Sequence, residues 1–172
     1  MGFSTLAGLA MGTRCGNLDP GIVLDLHTEK GMTVERVQGL LYDESGLRGV
    51  SGLSSNMHDL LVRLDDPAVV EAVEVFCYQA RRHLAALTAS LGGLYRLVFT
   101  SGIGAHAPGI RTIICAGLEY LGITLATTRN ASNDRIISPG VAIEALPTDE
   151  ELMIARHVRQ VLEAQRAAVR EA

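Results

Sequence analysis

The sequence predicts an α/β fold with a mixed or parallel sheet, because three patterns in its second half alternate between strand and helix. A short apolar strand at 95–100 runs directly into a glycine-rich turn at 101–104, and an amphipathic helix follows from Pro108. Two further apolar segments, 136–138 and 141–146, have strand composition, and a helix follows the second. Strands that alternate with helices in this way are typical of a sheet flanked by helices.

The composition bounds the size and class of the protein. A length of 172 residues corresponds to one domain, and a hydrophobic share of 48% with a net charge of −4 is typical of a soluble globular protein. These values disfavour disorder and nucleic-acid binding. No apolar run approaches the roughly 20 residues of a membrane span, and the N-terminus lacks the basic region of a signal peptide. We therefore expect a cytosolic protein that binds neither membrane nor nucleic acid.

Capping residues predict the helices of the first half. Asp19 and Pro20 have the features of the N-cap and first position of a helix that runs to about Thr28. A second short helix is expected over 34–42. The segment 43–57 is rich in glycine and serine, so it is predicted to be a loop and the first candidate binding segment.

Three more helices follow. Between Pro67 and Leu91 apolar residues recur every three or four positions, and a Gly-Gly pair ends the pattern. The last helix is expected to open with a capping box at Thr148 and Glu151. The helix from Pro108 is expected to bury Ile110, Ile113, Ile114, Leu118 and Leu121.

The three cysteines do not form a recognisable disulfide or metal pattern. Their number is odd and none belongs to a C-x-x-C pair, which argues against a disulfide framework and a structural zinc site. We expect reduced thiols at Cys15, Cys77 and Cys115.

The glycine-rich turn at 100–107 is the most informative candidate site. Its glycines allow backbone N–H groups to approach a ligand, and the following helix presents the positive end of its dipole. Phosphate or a nucleotide is therefore the expected ligand. Gly102-x-Gly104-x-x-Ala107 also fits a loose dinucleotide fingerprint. The acidic residue that this fingerprint needs is absent, because Glu119 falls inside the predicted helix. A dinucleotide-binding oxidoreductase domain is thus a disfavoured alternative, and a purely structural turn stays open.

Two other segments carry charges suited to phosphate chemistry. Arg14 lies among small residues just before a helix, where a guanidinium can clamp phosphate or carboxylate; the alternative is a surface arginine in a turn. The segment 147–151 places three carboxylates at a strand end, where they can hold Mg²⁺ through water or simply cap the helix. The histidines lack metal-type spacing.

Four ordered motifs of the chain resemble those of the acetate/propionate kinase family. Residues 1–14, MGFSTLAGLAMGTR, are similar to the family signature MGFTPLEGLxMGTR, which 18–20 continues. The glycine- and serine-rich segment at 45–55, VFTSGIG at 98–104 and PTDEELMIAR at 147–156 follow in the family's order. The chain resembles the C-terminal half of the family's proteins.

The resemblance implies a fold and an activity. The fold would be one half of the duplicated actin, hexokinase and Hsp70-like (ribonuclease H-like) kinase fold, with a mixed sheet flanked by helices. Residues 1–147 would form the nucleotide-binding domain, and the helix in 148–172 would pack on an N-terminal domain. The activity would be phosphoryl transfer from ATP to acetate, propionate or another short carboxylate, giving an acyl phosphate and ADP with Mg²⁺. The resemblance also implies a homodimer.

The resemblance assigns roles to particular residues. Arg14 matches the arginine that orients acetate and stabilises the transferring phosphoryl group, and Glu150 matches the glutamate that helps to place Mg²⁺. Two segments match the nucleotide site, the first beside the adenosine and the second a glycine-rich turn: Asn56, Met57 and His58, then Gly102, Ile103, Gly104, Ala105 and His106.

Several positions depart from the family pattern. Where the family has G-G-I-G-E-N this chain has S-G-I-G-A-H from Ser101, where it has D-M-R this chain has N-M-H from Asn56, and Thr5 replaces a proline of the acyl pocket. These changes weaken polar contacts to nucleotide or substrate. The alternative function is therefore a nucleotide-binding or dimerisation module with little activity of its own, completed by a separately encoded N-terminal half.

Overall fold

A computed structural model describes residues 2–170 of the chain, without the side chains of residues 150, 164 and 166–170. Helices dominate the described part, and two short strands lie in its second half. The elements in chain order are α1 Pro20–Thr28, α2 Val34–Asp43, α3 Gly46–Ser51, α4 Met57–Leu61, α5 Pro67–Leu91, β1 Arg96–Phe99, α6 Ser101–His106, α7 Pro108–Cys115, a 3-10 turn Glu119–Leu121, α8 Thr127–Ala131, β2 Ala142–Ala145 and α9 Glu150–Arg170.

The capping residues act as their positions in the sequence predict. The Asp19 carboxylate accepts a hydrogen bond from the Gly21 N–H at 2.7 Å, which starts α1. Asp66 does the same for α5 through the Ala68 N–H at 2.9 Å. Helix α5 ends at Leu91, and its C-cap Gly92 has a left-handed φ of 70°. The predicted bounds of α1 and α5 are confirmed, and α2 extends one residue beyond its prediction.

The loop prediction for 43–57 is wrong, because helix α3 and the start of α4 lie inside it. Helix α3 packs against α5 and buries Leu47 and Ser51. It begins at Gly46, which has a φ of 63° and whose missing Cβ would clash with the carbonyl oxygens of Met11 and Arg14. The glycine therefore permits a close backbone approach, which local composition cannot distinguish from a loop.

Three predictions in the second half need correction. The glycine-rich turn is itself a short helix, α6, and the helix from Pro108 ends at Cys115 instead of continuing through Leu121. The segment 136–138 contributes only one antiparallel bridge, from Ile136 to Glu144. Buried side chains beyond α7 still join the core through the turn, since Leu118 is 2% exposed. The apolar periodicity of the sequence therefore extends beyond Cys115, where the helix itself ends.

The described sheet consists of β1 and β2, which pair in parallel with Arg96 opposite Ala142 and Phe99 opposite Ala145. The Leu146 N–H continues the pairing by donating to the Phe99 carbonyl at 2.9 Å. Because the strands are parallel, their carboxyl ends meet at one edge of the sheet. Helix α6 and the segment that leads to α9 both leave from this edge.

The core lies between α5, α7 and the sheet. Its most deeply buried side chains come from helices, strands and connecting segments alike: Leu60, Val69, Cys77, Ile110, Ile123, Ile137 and Ile143. Polar side chains in the core carry partners, as Glu144 does in pairing with Arg96 at 3.2 Å and with Arg135 at 3.5 Å. The α/β architecture predicted from the sequence is confirmed, with a small sheet and helices around it.

Helix α9 leaves the core. Its cap is Asp149, whose carboxylate accepts from the Leu152 N–H at 2.8 Å, and not Thr148 as the capping-box pattern predicts. Every described side chain of α9 is exposed, including apolar residues at helical spacing: Ile154, Val158, Val161 and Leu162. Among the described residues, no helix is both long and apolar enough to cross a bilayer.

Ser101 starts α6 in a conformation that side chains with a Cβ rarely adopt. Its φ is 62°, in the left-handed region, and this costs about 1 kcal/mol for a residue other than glycine. We expect Ser101→Gly to raise the free energy of unfolding by about 1 kcal/mol or slightly less, measured by urea denaturation. Ser101→Ala keeps the Cβ and should bring no gain; an equal gain in both variants would show that backbone strain is not the cause.

The buried thiols predict a graded chemical reactivity. Burial raises the pKa of Cys77 to about 11 and that of Cys115 to about 12, whereas Cys15 is only half-buried. Since the thiolate is the nucleophile, a disulfide reagent at about pH 8 should modify Cys15 first. It should modify Cys77 and Cys115 at least about 100-fold more slowly in the folded chain than in urea. Rapid modification of all three in the folded chain would contradict this packing.

Candidate functional site

An apolar cavity of about 350 Å³ lies where α4 meets α6 and the start of α7. Met57, Leu61 and Ile103 provide much of its wall, and polar groups reach it from Asn56 and His58. The remaining lining residues come from α6 and the start of α7: Gly102, His106, Ala107, Pro108 and Gly109. The cavity thus joins two sequence segments that the whole of α5 separates.

A second, more polar cavity of about 780 Å³ also borders α6. It is lined by Ser101, Gly102 and His106 on one side and, on the other, by residues after β2 and in the first turn of α9: Pro147, Thr148, Asp149 and Glu151. Gly102 and His106 line both cavities. Helix α6 therefore borders both an apolar and an acidic compartment.

The structure brings together six of the eight residues predicted to contact nucleotide. Asn56, Met57, His58, Gly102, Ile103 and His106 all line the apolar cavity. Gly104 and Ala105 line neither compartment. Ala105 is 4% exposed in the core, and a Cβ at Gly104 would lie 3.2 Å from the Phe99 carbonyl carbon. The glycine at 104 lets α6 pack closely on β1.

Arg14 closes a turn that α3 holds in place. The N–H groups of Ser45 and Leu47 donate to the carbonyls of Thr13 and Met11, both at 2.8 Å. The Arg14 guanidinium lies 3.8 Å from the Met11 sulfur and lines neither cavity. The turn nevertheless reaches the segment predicted to contact nucleotide, because a Cβ on Gly12 would be 2.7 Å from the carbonyl oxygen of Ser55, the residue before Asn56.

The acidic segment supplies carboxylates to the polar cavity. Asp149 and Glu151 line the polar cavity. The backbone of Glu150 starts α9 between them, and its side chain lies outside the described residues. No cluster of three or more His, Cys, Asp or Glu side chains suited to a metal occurs in the described part of the chain. Mg²⁺ commonly binds one or two carboxylates together with substrate phosphates and water.

One side chain that holds α6 in place was not predicted from the sequence. Arg111 on α7 is 0% exposed, and its guanidinium donates to the carbonyls of Gly104 at 2.8 Å and Ala105 at 3.0 Å. The other donors reach Asn130 and Asn133 beyond α7. An arginine between Ile110 and Ile114, inside an apolar helix pattern, was the available signal, because a buried arginine needs partners.

Asn130 extends this network to the start of α7. Its side-chain amide donates to the Pro108 carbonyl and to the Thr112 hydroxyl, both at 3.0 Å, while its Oδ1 accepts from the Arg111 Nε at 2.7 Å. No buried side-chain nitrogen or oxygen lacks a hydrogen-bond partner among the described residues. Helices α6, α7 and α8 are thus fixed to one another next to both cavities.

Proteins with similar sequences and structures include acetate kinases and a propionate kinase. The acetokinase family model matches residues 1–156. The acetate kinase of Rhodopseudomonas palustris is 54% identical over 163 residues, which cover 92% of this chain and 41% of that protein. The crystal structure of Porphyromonas gingivalis acetate kinase superposes with a TM-score of 0.84 at 30% identity, over 94% of this chain and 43% of that one.

A propionate kinase from Francisella tularensis gives the same TM-score, 0.84, at 34% identity over 90% of this chain and 41% of that one. The chain therefore spans about two fifths of the length of the relatives that it matches. The structural neighbours confirm the predicted half of a kinase fold. Because the family model covers nine tenths of the residues and the fold agrees over the same region, the chain belongs to the acetokinase family.

Proposed function

We propose that the chain binds an adenine nucleotide across α6 and takes part in phosphoryl transfer from ATP to acetate or another short carboxylate. Family membership supports a kinase function in general. The observation that carries the finer proposal is the meeting of segments 56–58 and 102–106 around one cavity next to an acidic compartment.

The apolar cavity suits the base of the nucleotide. Met57, Leu61 and Ile103 offer apolar contact surface, and its volume lies within the usual range of small-molecule sites. The Asn56 amide and the His58 ring provide the hydrogen-bonding groups that can orient a base or a ribose. In this arrangement the phosphates would extend past Gly102 into the polar cavity.

The polar cavity suits a phosphate chain only together with a cation. Asp149 and Glu151 would repel phosphate oxygens, so we propose that Glu150 and its neighbours would hold Mg²⁺ in this compartment. The cation would neutralise charge on the transferring phosphoryl group. His106, at the junction of both cavities, can donate to a phosphate oxygen.

The proposed reaction is a direct transfer. A carboxylate oxygen of the acceptor attacks the γ-phosphorus of ATP, the bond to the β–γ bridging oxygen breaks, and ADP leaves with that electron pair. The role proposed for Arg14 is to orient the carboxylate and to stabilise charge on the transferring group. The hydrogen bonds from α3 hold the backbone of the Arg14 turn, so the side chain would extend from a fixed backbone position.

Two exposed apolar faces support the proposed partners. Helix α1 buries none of its residues and exposes Ile22 and Leu24, which we propose as part of a homodimer contact. The apolar side of α9, with Ile154 and Val158, would pack on the part of a full-length relative that this chain does not span. A nucleotide-binding and dimerising module without activity of its own is the second candidate function, favoured by the two-fifths coverage.

Gly102→Val tests the nucleotide site. A Cβ at this position meets no atom within 4 Å, so the larger side chain should fit the fold while entering the space shared by both cavities. We expect at least a tenfold loss of MgADP affinity, about 1.4 kcal/mol, by titration calorimetry.

Gly39→Val is the matched control. Gly39 lies in α2, where an added Cβ would likewise meet no atom within 4 Å, and it lines neither cavity. This variant should bind MgADP like the parent chain. Unchanged affinity in Gly102→Val, with the parent binding normally, would place the nucleotide elsewhere.

Complementation tests the catalytic proposal. The 172-residue polypeptide alone should give negligible acetyl phosphate in a hydroxamate assay, and activity should appear when a polypeptide covering the remainder of the Rhodopseudomonas palustris relative is added. In the mixture, Arg14→Ala should lower kcat far more than it raises KM for ATP, because the guanidinium would act on charge in the transition state. Robust activity from the single polypeptide, freed of contaminating kinases, would refute the need for complementation.

A further inference from the structure

The guanidinium of Arg111 is fully buried, and each of its five N–H donors is used. Nε donates to Asn130 Oδ1 at 2.7 Å, Nη1 to the Gly104 and Ala105 carbonyls, and Nη2 to the Asn130 carbonyl at 2.8 Å and to Asn133 Oδ1 at 2.6 Å. All five acceptors are uncharged amide or carbonyl oxygens. Burial of a cation without an anionic partner costs free energy of folding, so a buried arginine at this position needs a geometric explanation.

That geometry concerns the C-terminal end of α6. A six-residue helix has few internal hydrogen bonds, and its last carbonyls lack helical partners. Two donors on one nitrogen of Arg111 bind the Gly104 and Ala105 carbonyls. The other donors of the same guanidinium bind Asn130 and Asn133, so Arg111 connects the end of α6 to these two residues. A lysine cannot replace this arrangement, because its ammonium has three donors and no planar fork.

We propose that Arg111 is a positioning residue for the nucleotide site: it fixes α6, the helix that borders both cavities, by holding the carbonyls of Gly104 and Ala105 near its C-terminal end. The guanidinium contacts α6 through carbonyls whose residues line neither cavity, while Gly102, Ile103 and His106 of the same helix line one or both. Loss of the fork would let α6 shift and would misplace those lining residues together. The part that concerns nucleotide rests on the proposed function above.

Arg81 provides a matched comparison within the same fold. It lies on α5 and donates to the carbonyls of Ile113 and Ile114, near the C-terminal end of α7. It therefore also holds helix-end carbonyls through a guanidinium, but it lines neither of the two cavities. Arg81→Lys therefore removes a guanidinium that holds helix-end carbonyls, but it removes no contact to α6.

The test uses two readouts on Arg111→Lys. Amide hydrogen exchange of the ligand-free chain should accelerate at least tenfold within 101–106 while the interior of α5 stays protected, and MgADP should bind at least tenfold more weakly by calorimetry. Arg81→Lys should change neither the exchange of 101–106 nor the MgADP affinity. Faster exchange without any MgADP binding by the parent chain would support the positioning role and refute the proposed nucleotide site.

Other outcomes also decide the proposal. Normal exchange of α6 in folded Arg111→Lys, or an unchanged MgADP affinity with a parent chain that binds, would overturn it. If Arg111→Lys does not fold, Asn133→Gly replaces it, because Asn133 has a φ of 54° that glycine adopts readily and the change removes a single acceptor. That variant should show the same selective exchange in a weaker form, and uniform protection of α6 would refute the proposal.

Discussion

The parallel pairing of β1 with β2 is the constraint on which the arrangement of the site depends. It brings the residues after both strands to one edge of the sheet, so α6 and the acidic segment 147–151 face each other across a cavity. An antiparallel pair would place these ends at opposite edges. The Leu146 N–H, which donates to the Phe99 carbonyl, continues the pairing up to the last residues before the cavity.

Close approaches of backbone complete the site. Gly46 lets α3 begin against the Arg14 turn, and Gly104 lets α6 lie on β1 near Phe99. In both places the missing Cβ serves packing between parts of the protein. The two glycines of α6 therefore differ in their surroundings, since Gly102 borders the cavities whereas Gly104 borders a strand.

Helix α6 combines local strain with strong support. It starts at Ser101 with a left-handed backbone, and it ends on carbonyls that a buried guanidinium holds. A short helix of this kind has little intrinsic stability, because nucleation is costly and few bonds follow it. Its conformation is therefore maintained by tertiary contacts, among them the Arg111 hydrogen bonds to carbonyls of residues that line neither cavity.

The sequence by itself determined the helices with strong caps, the two strands, the α/β class and the family, because each depends on local periodicity, on end residues such as Asp19 and Asp66, or on ordered motifs. It also selected six residues that meet around one cavity. Only the tertiary structure decided that 46–51 is helical, that Gly104 and Ala105 face away from the cavities, and that Arg111 is buried. These features depend on what packs against each segment from distant parts of the chain, and a local pattern of residues does not carry that information.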